Sequence, residues 1–262
     1  MHSDNFDIST YFKRINYTGP AATDTGPAAT DTGTLHALMR HQLFAIPFEN
    51  LDVQAGKIVS LAPDDIADKL LTPGRGGYCY EVNGLFAMAL EALGIPYRFV
   101  AARPMFYPVR RPKTHMALIA KVESRQWLCD LGFGSYGIRA PMALDTLDVD
   151  IAQDFDTFRL SRSAEGEYLL QAKVAGEWAR QYGFDLTPQE WIDFVPANYL
   201  NSTHPDAIFV QKRVVVQHRP EGREILLGNM LKTITAKGTE TRQLAEDDIP
   251  RILKERFALI AA

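Results

Sequence analysis

The sequence is poor in cysteine, which limits the use of disulfides. Only two cysteines, Cys79 and Cys129, occur among 262 residues. The six histidines are scattered and no CxxC or HExxH spacing is present, so we expect no metal site. The opening MHSDNFDIST lacks the basic and then apolar run of a secretion signal. A cytoplasmic location, where thiols stay reduced, is therefore expected.

Long apolar runs and an excess of positive charge are absent as well. No window reaches the roughly 18 consecutive apolar residues of a membrane-spanning helix. The formal net charge is -4, so no overall basic field attracts nucleic acid or anionic lipid. We expect neither as a partner. The sequence does not decide between a monomer and a homo-oligomer.

Helical periodicity characterises the first third of the chain. Between the first two helices the segment GPAATDT occurs twice in succession, which we interpret as a surface loop without chemistry. Four helices are predicted: one through Ile8 and Ile15, one capped by Thr34 and ending before Pro47, one from Pro63 to Leu71, and one from about Cys79 to Gly94.

After Gly94 the pattern changes to alternation and short apolar runs, typical of strands. The segments YRFVAAR, HMALIAKV, QWLCDLGFG, FRLSR and EYLLQAKV predict an antiparallel sheet or small barrel. A short helix is expected from Trp191 to Phe194, ending before Pro196. IFVQKRVVVQ, REILLGN and MLKTITA are predicted as strands and DDIPRILKERFAL as a closing helix. This order predicts an α+β fold in up to three segments.

The segment RGGYCYEVNG contains the first candidate for chemistry. Cys79 follows a Gly-Gly turn and opens an apolar helix, whose partial positive charge favours a thiolate. A lone cysteine is more often a buried structural thiol. Two glycines bring the backbone close to Cys79 and tyrosines flank it, so we interpret it as a candidate nucleophile. Cys129, beside Trp127 within a strand, is interpreted as core packing.

A nucleophilic thiol needs a base and a group that orients the base. His115 opens the strand HMALIAKV, where its side chain can point into a cleft. Of the other five histidines, two lie in an early helix, one is terminal and two lie in the mixed C-terminal tail. Asp130 ends the strand QWLCD, and pairing of these two strands would bring it roughly opposite His115. We therefore expect Cys79, His115 and Asp130 to form a triad.

The segment RGGYCYEVNGLF resembles the arylamine N-acetyltransferase family, whose nucleophilic cysteine lies in an RGG-x-C-x-x-x-N segment. IPFENLD, a Thr114-His115 pair and CDLGFG agree with it in the same order. The resemblance implies a helical bundle over residues 1–95, a β-barrel over 96–196 and an α/β lid over 197–262. In such a cysteine-protease-like core, the triad lies where the first two segments meet.

The resemblance also implies acetyl-CoA as donor and a ping-pong reaction of xenobiotic metabolism. Cys79 would take the acetyl group and pass it to an arylamine or arylhydrazine. The coenzyme contacts implied are Thr114 and the stretch NYLNSTH, represented by Tyr199 and Thr203. The aromatic acceptor would lie against three phenylalanines, of which the last is explained equally well as ordinary core: Phe48, Phe133 and Phe209.

Two other functions fit the same residue types. A papain-like or transglutaminase-like hydrolase or crosslinker uses Cys, His and Asp for acyl transfer to water or lysine. A non-catalytic protein could bind aromatic ligands in the same cleft, although it has no need for all three triad groups. Acylation of Cys79 by acetyl-CoA distinguishes both from an acetyltransferase.

Overall fold

A computed structural model of the chain describes residues 1–20 and 30–260. Most of the GPAATDT duplication lies outside these ranges, so its predicted role as a surface loop is not addressed by the structure. The α-helices are α1 (Ile8–Arg14), α2 (Thr32–Ala45), α3 (Leu51–Gln54), α4 (Pro63–Leu71), α5 (Cys79–Ala92), α6 (Val195–Thr203), α7 (Ile208–Gln211) and α8 (Ile249–Phe257). Within the described ranges, no helix is both long and apolar enough to cross a membrane.

The described residues also form thirteen strands, which follow or interleave with these helices. They are β1 (Phe48–Glu49), β2 (Tyr97–Pro104), β3 (His115–Val122), β4 (Arg125–Cys129), β5 (Met142–Ala143), β6 (Ile151–Gln153), β7 (Asp156–Arg162), β8 (Tyr168–Val174), β9 (Glu177–Phe184), β10 (Val214–Arg219), β11 (Gly222–Leu227), β12 (Met230–Thr235) and β13 (Gly238–Gln243).

Both sheets are antiparallel. One has eight strands in the order β5-β4-β3-β2-β9-β8-β7-β6 and is curled, with β5 and β6 as its outer strands. The other has five strands in the order β1-β10-β11-β12-β13. Its first strand comes from the N-terminal part of the chain, because Phe48 pairs with Val216. The mixed α+β class is therefore confirmed, and the C-terminal sheet is completed by a strand from the first segment.

The start of α2 differs from its sequence-based prediction. The helix begins at Thr32, and Asp31 is its N-cap, with the Asp31 carboxylate accepting a hydrogen bond from the Thr34 amide at 2.7 Å. The prediction that Thr34 caps the helix was wrong. An aspartate three residues upstream satisfies the exposed amide better than a residue already inside the first turn.

Two predictions near residue 200 were wrong in extent. Trp191–Phe194 forms a single 3-10 turn that continues into α6 instead of ending before Pro196. Proline is tolerated there because the first turn of a helix needs no amide donor. The strand predicted from Ile208 begins as the short helix α7, and β10 starts only at Val214.

Helix α5 lies at the centre of the molecule. Twelve of its fourteen residues are buried, and it packs against α4 and β3. Since Cys79 is its first residue and His115 is the first residue of β3, this packing brings the two candidate groups to the same end of the core.

Candidate active site

Two glycines shape the turn that leads to Cys79. A Cβ atom at Gly76 would collide with the carbonyl oxygen of Pro47, and one at Gly77 would lie 2.7 Å from Cβ of Glu81. The turn ends at Tyr78, whose backbone is extended and whose amide donates to the Glu81 carboxylate at 3.0 Å. This capping arrangement fixes the first turn of α5 and with it the Cys79 backbone.

The predicted base and carboxylate are in direct contact. Leu118 of β3 pairs with Cys129 of β4, so Asp130 follows directly after the paired strand. Nε2 of His115 lies 2.7 Å from Oδ2 of Asp130, and both side chains are buried. If Nε2 donates its proton to the carboxylate, Nδ1 is left with the lone pair that can accept a proton from a thiol.

Asp130 is held in its ionised form despite its surroundings. Burial opposes ionisation, but the charge and hydrogen bond of His115 and donors from Asn83 and Gly132 hold the pKa of Asp130 below its ordinary value. An ionised carboxylate at this point stabilises an imidazolium at His115.

Asn83 joins the elements that carry these groups, and the sequence-based reasoning gave it no role. Its amide nitrogen donates to the carbonyl of Met116 at 2.8 Å and to Oδ1 of Asp130 at 3.1 Å. Its carbonyl oxygen accepts from the Leu131 amide at 2.8 Å. A buried-looking polar residue four positions after Cys79, on the same face of a helix whose residues are mostly apolar, is a signal that could have identified it.

Cys79 and His115 line the same cavity, which has a volume of about 510 Å³. Burial, and after it the negative charge of Asp130, raise the pKa of the Cys79 thiol. A thiolate here therefore needs a positive partner, and His115, which lines the same cavity and contacts Asp130, can become one. Cys129 is fully buried and is not among the residues that line the cavity.

All three predicted aromatic residues line this cavity as well. The rings of Phe48 and Phe209 lie 5.9 Å apart, and that of Phe133 lies 5.2 Å from the His115 ring. Two further aromatic residues, Phe106 and Tyr107, come from the connection between β2 and β3. The sequence-based reasoning missed them because no regular pattern marks that connection.

The structure separates the predicted coenzyme contacts. Thr114 lines the cavity, whereas Tyr199 and Thr203 are not among the lining residues. The Tyr199 side chain is 58% exposed, and the Thr203 hydroxyl donates to the Tyr199 carbonyl at 2.7 Å. Residues four apart share a helical face, and here that face points away from the cavity. Three other residues of the same segment line it instead: Leu200, Asn201 and His204.

Metal ligands do not cluster in the described part of the chain. No group of three or more His, Cys, Asp or Glu residues there is arranged to hold a metal ion.

Comparisons with known proteins identify the family of the chain. The family model described as N-acetyltransferase matches residues 31–261. The arylamine N-acetyltransferase of Escherichia coli (strain K12) is 31% identical over 257 residues, covering 96% of this chain and 88% of that protein. That of Mycobacterium tuberculosis (strain ATCC 25618 / H37Rv) is 35% identical over 265 residues, covering 98% and 90%.

Solved structures give the same result. The arylamine N-acetyltransferase of Mycobacterium abscessus superposes with a TM-score of 0.89 at 31% identity, covering 99% of this chain and 92% of that one. The Mycobacterium marinum enzyme in complex with CoA has a TM-score of 0.88 at 30% identity, covering 97% and 93%. The chain therefore belongs to the arylamine N-acetyltransferase family and is an acyltransferase.

Proposed function

We propose that this protein transfers the acetyl group of acetyl-CoA to arylamines or arylhydrazines through an acetyl-thioester on Cys79. The observation that carries the proposal is the shared cavity of Cys79 and His115, with Asp130 at 2.7 Å from the imidazole. A neighbour of the same fold was solved with CoA bound, which supports this coenzyme as the product of the first step.

The first step transfers the acetyl group to the protein. Nδ1 of His115 accepts the thiol proton, and the Cys79 sulfur attacks the thioester carbonyl of acetyl-CoA. The tetrahedral adduct then expels coenzyme A, whose sulfur takes the proton back from the imidazolium. Asp130 keeps the imidazole oriented and stabilises its charge throughout. The backbone amide of Cys79, at the start of α5, is a donor for the oxyanion.

The second step releases the product. The amine nitrogen attacks the acetyl carbonyl on Cys79, His115 accepts a proton from that nitrogen, and the Cys79 sulfur leaves. Phe48, Phe133 and Phe209 provide apolar walls for an aromatic acceptor. The reaction requires free thiols, which suits the cytoplasm. We also retain the division into a bundle (1–95), a barrel (96–196) and a lid (197–262) as part of the proposal.

Intact-protein mass spectrometry tests the proposal directly. We expect incubation with acetyl-CoA alone to add one acetyl group, mapped to Cys79 by peptide analysis. Addition of a simple arylamine should remove the group and yield the acetylated amine.

Two cysteine variants provide the matched controls. Cys79→Ala should form no adduct, whereas Cys129→Ala should be acetylated as the wild type is. If folded, reduced wild-type protein forms no adduct, the acetyl-CoA proposal fails, and peptide hydrolysis or simple ligand binding becomes the function to test. Acetylation that survives in Cys79→Ala would mean that the nucleophile is wrongly assigned.

A further inference from the structure

The two tyrosines that flank Cys79 are fully buried, and both are linked to helix α6. The Tyr78 hydroxyl donates to the side-chain oxygen of Asn198. The Tyr80 hydroxyl donates to the Thr114 carbonyl at 2.9 Å, and the side-chain amide of Asn201 donates to the same carbonyl at 3.0 Å. Contacts on both sides of the nucleophile therefore lead to one helix.

Asn198 and Asn201 lie three residues apart, on the same face of α6, and are 4% and 5% exposed. The amide nitrogen of Asn198 is also used, because it donates to the Val59 carbonyl at 2.9 Å. Buried amides with such partners are costly to remove and hold the attached groups in fixed positions.

The Thr114 carbonyl belongs to the peptide unit that also contains the His115 amide. Because a peptide unit is planar, fixing this carbonyl fixes the direction in which β3 begins and the backbone from which the imidazole projects. A carbonyl oxygen has two lone pairs, and here one donor comes from α5 and the other from α6. The backbone of the base is thus tied to the helix of the nucleophile.

We propose that α6 positions the reacting groups: Asn201, through the Thr114 carbonyl, holds His115 in reach of Cys79, and Asn198 holds Tyr78 on the other side. Asn201 is a positioning residue that acts through the Thr114 backbone. The inference rests on the proposed function, because transfer to Cys79 is the reaction that it affects. A misplacement of about 1 Å at a reacting centre can cost on the order of 100-fold in rate.

The test is single-turnover acetylation of Cys79 in Asn201→Ala, followed by mass spectrometry at several acetyl-CoA concentrations. We expect the maximal rate to fall by about tenfold, the loss expected for a hydrogen bond and some alignment. The half-saturating acetyl-CoA concentration should stay close to that of the wild type, and the melting temperature should fall by only a few degrees, because one buried hydrogen bond is lost. Tyr80→Phe, which removes the other donor to the same carbonyl, should show the same pattern.

Val195→Ala, at an exposed position of the same helix, is the control and should acetylate at the wild-type rate. Alkylation of Cys79 by iodoacetamide at neutral pH gives a readout that needs no acetyl-CoA. It should also slow in Asn201→Ala, because a displaced His115 accepts the thiol proton less readily. A failure of the proposed function can therefore be distinguished from a failure of the positioning by Asn201.

Three results would overturn the inference. A raised half-saturating concentration with an unchanged maximal rate would show that Asn201 binds the donor instead of positioning the base. Unchanged acetylation and alkylation rates in both Asn201→Ala and Tyr80→Phe would show that the Thr114 carbonyl does not control His115. A loss of rate that only parallels a loss of folded protein would point to a purely structural role and would likewise reject it.

Discussion

At Asp130 a carboxylate is buried almost completely and still has a pKa below its ordinary value. The stabilising groups are the imidazole of His115, the amide of Asn83 and the backbone of Gly132. Cys79 shows the opposite effect, because burial and the charge of Asp130 raise the pKa of its thiol. The proposed reaction therefore depends on proton transfer from Cys79 to His115, which Asp130 makes favourable.

Replacing Asp130 by asparagine tests this dependence. The variant keeps the shape of the side chain but removes the charge that stabilises an imidazolium at His115. It also removes the direct effect of that charge on the pKa of Cys79, but the loss of the positive partner outweighs this, so the Cys79 thiol should keep its proton to higher pH. We expect the pH profile of Cys79 alkylation by iodoacetamide to shift upward in Asp130→Asn. Acetylation at pH 7 should fall by at least about 100-fold, in line with the loss seen when a triad carboxylate becomes an amide.

Far-UV circular dichroism and the melting temperature should confirm that the Asp130→Asn variant is folded. An alkylation profile identical to that of the wild type would show that Asp130 does not control the proton on Cys79.

Helix α5 was predicted from the spacing of its apolar residues and from the Gly-Gly turn before it. The extent of α6 was not predicted. Pro196 was interpreted as the end of the helix that begins at Trp191, but it lies in the first turn of α6. Local sequence does not distinguish these two positions of a proline, because both are compatible with its fixed φ. The stretch NYLNSTH was named from the resemblance, but its cavity-facing residues were not distinguished from Tyr199 and Thr203.

The loop after β4 approaches the nucleophile so closely that only glycine fits. A Cβ atom at Gly132 would lie 2.5 Å from Cα of Cys79, closer than atoms of two backbones can pack. Gly132→Ala should therefore displace the loop or α5 and reduce acetylation by at least about tenfold, as expected for a misplaced reacting group. Initial-rate measurements at saturating acetyl-CoA check this.

Gly33→Ala is the matched control, because the added Cβ would meet its nearest neighbour, Asp31, at an ordinary 3.5 Å. This variant should keep full activity and gain up to about 1 kcal/mol in stability from the better helix former. Full activity in Gly132→Ala would contradict the close approach of the Gly132 backbone to Cys79.

The first turn of α5 also contains a carboxyl group that titrates near neutral pH. Burial raises the pKa of Glu81 to about 7. The positive charge of Lys69 lowers this pKa, and the negative charge of Glu49 raises it further. Its ordinary value is 4.5, so the folded state binds the proton more tightly than the unfolded state. The contribution of Glu81 to the free energy of unfolding is thus fully present below about pH 4.5 and is lost as the pH rises through 7.

We expect the free energy of unfolding of the wild type, relative to that of Glu81→Gln, to fall by on the order of 2 kcal/mol between pH 5.5 and 8. Urea unfolding at both pH values measures it. Comparison with Glu81→Gln removes the effect of other titrating groups, such as His218, which both proteins share. A pH-independent difference between the two proteins would contradict the raised pKa.

For the whole molecule, the α+β class and the order of helices, strands and mixed tail could be predicted from periodicity. The contact of His115 with Asp130 was also expected from the strand pattern. The pairing of Phe48 with the C-terminal sheet was not expected, because a two-residue strand has no periodicity and its partner lies far along the chain. Tertiary pairing of this kind is decided by packing and not by local sequence.

A buried ion pair connects the two sheets. Arg223 of β11 donates to the carboxylate of Asp156 of β7 and to the Ser135 carbonyl at 3.1 Å, and its side chain is inaccessible to solvent. Removing one partner of such a pair leaves an uncompensated buried charge. Asp156→Ala should therefore lower the free energy of unfolding by about 3–5 kcal/mol.

Chemical denaturation measures the free energy of unfolding of Asp156→Ala, with Glu255→Ala as the control. Glu255 pairs with Arg251 at 3.0 Å on the surface, where loss of an ion pair costs less than about 1 kcal/mol. A similarly small effect in Asp156→Ala would mean that the sheets are held together mainly by apolar contacts.

The pairing of β1 with β10 has a consequence for how the protein is made. Beside this pair, the Asn50 amide donates to the Phe209 carbonyl, 159 residues further along the chain. Contacts between such distant residues form late, because the entropy of closing a long loop must be overcome first. Phe48 and Phe209 are walls of the cavity, so a ribosome-bound chain can complete α5 and its cysteine long before it has a pocket. This cavity should be among the last parts of the protein to form during biosynthesis.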